Sequence, residues 1–159
     1  MTHSFLAGVL AAPILGAIAS TASADRLEDR YMEAQAGFEQ RLNDFYVSRV
    51  PEMAGKIPQF MEDPRAREAI RCGFDYIREN AGEAGAEELV VWVEGMAATP
   101  IESFDTLSAA PEGQVGDVMM EAVQACDSIT ITQELMEESG MMEMFSDPAV
   151  LGRLMDDGS

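Results

Sequence analysis

The side chains with chemical potential are few in kind. There are two cysteines, Cys72 and Cys126, one histidine, His3, one lysine, Lys56, twelve methionines, and 29 Asp and Glu. The cysteines are far apart and make no C-x-x-C pair. In an oxidising compartment an even pair is most simply one disulfide. Closing a loop of about 54 residues is worth roughly 4 kcal/mol in the chain-entropy picture. The functional alternative, a redox pair or reactive thiol, has only Arg71 beside Cys72 to support it.

The histidine sits in an N-terminal segment that reads as an address. Phe5 to Ala19 is an uncharged run of apolar and small residues, followed by Ala22-Ser23-Ala24 and Asp25. This reads as a secretory signal peptide over residues 1–24, cleaved after Ala24, although its start carries no Lys or Arg. Phe5 to Ala24 is also just long enough for an anchor, but Pro13 and the Gly and Ser interruptions favour cleavage. The expected product is a single acidic domain, residues 25–159, in the periplasm or secreted, with no membrane contact after cleavage. It would contain no histidine. That excludes Ser-His-Asp and Cys-His nucleophiles, the usual zinc sites and a His-ligated haem. No cofactor follows from the remaining residues, and no D-x-[DN]-x-[DN]-G calcium loop is present.

The formal net charge of −19 argues against nucleic acid, whose phosphates must be met by Lys and Arg. The charge is also uneven. Asp25 through Arg78 holds nine bases and 11 acids, whereas Glu79 through Gly152 holds 16 acids and no base. Such a field could attract a basic protein or another cationic partner; a solvated acidic surface is the plain alternative.

Five methionines lie beyond Gln133: Met136, Met141, Met142, Met144 and Met155. Three uses are open to them. They can fill irregular core space, line an adaptable groove, or hold Cu(I) through an M-x-M spacing such as Met142-x-Met144.

Glu138-Ser139-Gly140, with Leu154-Met155 further on, resembles the catalytic-glutamate motif of lytic transglycosylases, which cut peptidoglycan. The resemblance implies Glu138 as the acid. It spans only Glu138 to Met155, and the Gly-Ala-x-Gly element between its ends is missing. Paired-carboxylate hydrolysis in general would need a cleft holding two acids, one with a raised pKa.

The elements that must position these residues are helical. Leu27, Tyr31, Ala34, Phe38, Leu42 and Phe45 recur at steps of three and four, predicting a helix over 26–48. Asp63-Pro64 is a start signal for a helix to about Asn80, with Ala66, Ile70, Gly73, Phe74 and Ile77 inward and Gly82 ending it. Another helix carries Leu89, Trp92, Val93 and Met96. Thr99-Pro100-Ile101-Glu102 matches a capping box for a further short helix, and Ala109 to Gly116 reads as a loop. From Asp117 one long helix is expected through Met136, although Ile129-Thr130-Ile131-Thr132 would also suit a strand. Asp147-Pro148 opens a last short helix. The expectation is an all-α bundle of four to five main helices with one interhelical disulfide.

The function expected from these features is non-catalytic: a helical binding protein with an acidic face and a Met-rich apolar surface. A chaperone-like helper and an inhibitor of a basic cell-wall enzyme both fit. The alternatives are a Met-rich copper-handling protein and a carboxylate-based cell-wall hydrolase.

Overall fold

The computed structural model describes residues 17–103, 107, 111 and 113–155, with side chains from Asp25 onward. Among them it has six α-helices, one turn of 3-10 helix (Pro51–Met53) and no strand. The helices are α1 (Ala17–Arg49), α2 (Pro64–Ala98), α3 (Gln114–Ala125), α4 (Ser128–Glu138), α5 (Met141–Phe145) and α6 (Pro148–Met155). The all-α expectation holds.

Helix α1 begins earlier than its apolar spacing predicts and passes through Ala24 and Asp25 without a break. Residues 1–16, which carry most of the expected signal peptide, lie outside the described residues. None of the described helices is long and apolar enough to cross a membrane.

Asp63 starts α2 as predicted. Its Oδ1 accepts the backbone N–H groups of Arg65 at 2.8 Å and Ala66 at 3.2 Å, and Pro64 occupies the first helical position. Gly82 breaks α2 with φ 74° and ψ 179°, a conformation essentially confined to glycine. The two halves of α2 run in opposite directions along α1. Before Gly82, Phe74 stacks on Tyr31 at 4.9 Å, while Ala66 and Ile70 lie against residues 35–42. After Gly82, Arg30 binds Glu87 and Glu94, and further along Arg41 donates to the Ala97 carbonyl. Three helical rods thus enclose the main core. It is built from Leu27, Tyr31 and Ala34 on α1, Phe74 and Ile77 before the kink, and Leu89, Val90 and Val93 after it.

Helix α3 seals this core with Val115 and Ala122. Its first turn packs closely on the preceding backbone: a side chain at Gly116 would run into the Pro111 carbonyl. Thr99 differs from expectation. Its N–H bonds to the Gly95 carbonyl and closes α2, and residues 100–103 are not helical. Most of the helix expected there falls outside the described residues.

The single long helix expected after Asp117 is two. Asp127 adopts a left-handed φ of 54°, which breaks the helix between α3 and α4. Ile129 to Thr132 is helical within α4, so the strand alternative is set aside. Six helices stand among the described residues where four to five were expected. This split and the short, unpredicted α5 each add one, while the two helices expected on either side of Gly82 are one kinked element, α2. A second, smaller cluster joins the end of α1 to the C-terminal helices: Val50, Met53, Ile57, Met141, Val150 and Leu154.

Candidate functional site

A largely apolar concavity lies where three helices each present a triplet at i, i+3 and i+4. Helix α1 offers Gln35, Phe38 and Glu39; α2 offers Ala66, Ala69 and Ile70; α4 offers Ser128, Ile131 and Thr132. Leu42, Phe60 and Met61 complete the wall. The volume is about 250 Å³. The space exists because the facing residues are small. Phe38 and Leu42 sit on the expected inward face of α1, but the residues opposite include Ala66, Ala69, Ser128 and Thr132, too short to fill the gap.

Glu39 is the one ionised group in this wall, and neither Lys nor Arg lines it. Its Oε2 accepts the Met61 backbone N–H at 2.7 Å. Burial pushes its carboxyl above the ordinary range, the Met61 N–H opposes this, and the nearby charge of Glu62 adds to it. Glu39 and Met61 also belong to a second concavity of about 180 Å³, lined otherwise by polar residues: Gln40, Asn43, Gln59 and Glu62, with Ala36. The Glu39–Met61 hydrogen bond is therefore a partition. An apolar chamber lies on one side and a polar, acidic shelf on the other.

Cys72 and Cys126 form a disulfide with their Cα atoms 5.7 Å apart. It ties α2 to the junction of α3 and α4, and so holds Ser128, Ile131 and Thr132 against Ala66, Ala69 and Ile70. There is no free cysteine.

The methionines at the C-terminal end divide. Met141 is buried in the second cluster, and Met136 and Met144 pack against it. Met142 and Met155 are 40% and 63% exposed. Because α5 is a helix, Met142 and Met144 stand two positions apart and point to different sides, so the M-x-M letters do not become a chelate. Among the described residues no group of three or more His, Cys, Asp or Glu is placed to hold a metal ion.

Glu138 is held by Arg65, with contacts of 2.9 and 3.1 Å, and this keeps its carboxyl below the ordinary range. A general acid requires the opposite shift. The arrangement gives no support to the acid implied by the transglycosylase resemblance. Glu39 and Glu62 share a concavity of only about 180 Å³. Glu83 with Glu87 and Glu33 with Glu94 line larger ones, of about 320 and 410 Å³. There Arg30 pairs with Glu87 and Glu94 and holds the Glu94 carboxyl below its ordinary range, the opposite of what a general acid needs.

The charge asymmetry along the chain is partly evened out by the fold. Glu87 and Glu94 take Arg30, and Glu134 and Glu138 take Arg65, so bases from the first half serve acids of the second. Glu83, Glu88, Glu137 and Glu143 remain exposed. No protein family, curated protein or solved structure matches the chain.

Proposed function

We propose that this is a non-catalytic helical binding protein of the periplasm or the secreted space, with a basic protein as its partner. A helper that holds the partner and an inhibitor that covers it use the same physics. Exposed acids raise the encounter rate with a cationic surface. Burial of an apolar side chain then supplies contact energy.

The observation that carries this reading is the apolar chamber adjoining an acidic shelf, with no Lys or Arg lining either. Such a pair of surfaces is complementary to a chain segment that is apolar at one point and cationic beside it. The disulfide is consistent with an oxidising compartment. The absence of histidine after residue 3 removes the commonest general base.

Native mass spectrometry on the protein recovered from the outer compartment of its host tests this reading. The expected spectrum shows a chain beginning at Asp25, two hydrogens lighter than the dithiol form, and a complex with a basic protein. A copper-loaded chain, or one recovered only without a partner, overturns it.

A further inference from the structure

The partition formed by Glu39 and Met61 has two unlike sides that a single short segment could span. On one side the chamber is walled by Phe38, Leu42, Ile70 and Ile131, and its volume of about 250 Å³ is below that of typical drug-sized ligand sites. It suits an aliphatic or aromatic side chain better than a cofactor. On the other side Glu39 and Glu62 share the shelf with the amides of Gln40, Asn43 and Gln59. The Met61 N–H occupies Oε2 of Glu39. No other hydrogen bond to this carboxylate is made among the described residues.

Cations from the protein itself do not fill the place. Arg65, next to the chamber residue Ala66, is already engaged by Asp63, Glu134 and Glu138. The site thus keeps a partly desolvated carboxylate beside an open apolar chamber. Resting on the reading of a basic protein partner, we infer that Glu39 is the recognition residue for a peptide segment that places an apolar side chain in the chamber and an Arg or Lys, one or two residues away, on the shelf. The apolar residue supplies contact area, and the cation selects the segment by pairing with Glu39. Charge complementarity decides between occupants, since an anionic or purely apolar segment would leave Glu39 facing a like charge or nothing polar.

The Met61 amide is a direct reporter, because its hydrogen bond ends on the carboxylate in question. The experiment is a titration of the ¹⁵N-labelled, disulfide-intact protein with a capped hexapeptide carrying Leu and Arg two residues apart. Parallel titrations use the peptide with citrulline for Arg and the peptide with Asn for Leu. Expected shifts fall on Met61 and on residues lining both concavities. Citrulline weakens binding about fivefold, the scale of one partly solvated ion pair. Glu39→Gln, whose amide oxygen still accepts the Met61 N–H, weakens the Arg peptide by the same factor and makes it indifferent to citrulline. Loss of the Leu side chain abolishes the shifts in the chamber.

If citrulline costs the same on Glu39→Gln as on the natural protein, the charge is read elsewhere. The Glu39 assignment then fails while the wider reading of a basic partner stands. If no peptide shifts any resonance and no basic protein accompanies the chain from its host, both fail.

Discussion

Cys126 stands two residues before Ser128, and its disulfide to Cys72 sets the first turn of α4 against the face of α2 that carries Ala69 and Ile70. One covalent bond therefore positions a wall of the chamber. The double substitution Cys72→Ser, Cys126→Ser is expected to lower unfolding free energy by about 4 kcal/mol, from the loop it releases. Denaturant unfolding measures this. Hydrogen exchange should quicken first at Ser128 to Thr132. Uniform quickening over all helices would show that the disulfide restrains only the unfolded chain.

Gly82 turns one long helical stretch into two rods that run opposite ways along α1. Its backbone conformation is open only to glycine, so Gly82→Ala is expected to cost about 1–3 kcal/mol. Gly73 is the internal control. It lies in ordinary helix with open space around it, and Gly73→Ala is expected to stabilise by about 0.4–1 kcal/mol. Thermal melts of the two variants should move in opposite directions. Equal losses would mean that helix packing, not backbone strain, governs both positions.

Much of this fold is legible in the sequence because its signals are local. Asp63-Pro64 announces α2 through a cap and a proline that need only the next three residues. Gly82 announces the kink through its freedom of φ. The break at Asp127 is not legible, since the residues on both sides have helical spacing and a left-handed Asp leaves no pattern. The chamber is hidden for a related reason. Phe38 and Leu42 look like core, and only the tertiary pairing of α1 with small residues on α2 and α4 leaves a gap before them. Glu39 had no signal beyond its place next to Phe38 at the edge of an apolar face. The pairing of Arg30 and Arg65 with distant glutamates is likewise a property of packing, so the charge asymmetry of the chain overstates that of the surface.

Leu154 is 1% exposed within the second cluster, which shares no buried residue with the main core. Leu154→Ala is expected to cost about 2–5 kcal/mol. The loss should be local first, because α5 and α6 are short and depend on this cluster. Hydrogen exchange is expected to rise across residues 141–155 while amides near Phe74 and Val90 stay protected. Met155, 63% exposed on the same helix, serves as the comparison: Met155→Ala should change the melting temperature little. A global loss of protection in Leu154→Ala would show that the two clusters unfold as one.

The carboxylates of this protein pull its pH dependence in two directions. Arg65 holds Asp63 and Glu138 below their ordinary values, as Arg30 does for Glu94. Glu52 is lowered by its own backbone N–H and by Arg153. The folded state binds fewer protons at these sites than the unfolded chain. Their contribution is therefore present above the ordinary values of 3.8 for Asp and 4.5 for Glu, and is lost as pH falls through the lowered ones. Glu39 has the reverse sign. Its folded carboxyl is raised above 4.5, chiefly by burial, so the folded state holds its proton more tightly. That contribution is present below 4.5 and is lost as pH rises through the raised value. Glu39→Gln keeps an acceptor for the Met61 N–H and removes the charge. It is expected to raise the melting temperature at neutral pH and to leave it nearly unchanged well below 4.5, where the natural carboxyl is already neutral. A lower melting temperature at neutral pH would mean that the Met61 N–H stabilises the charge more than burial penalises it.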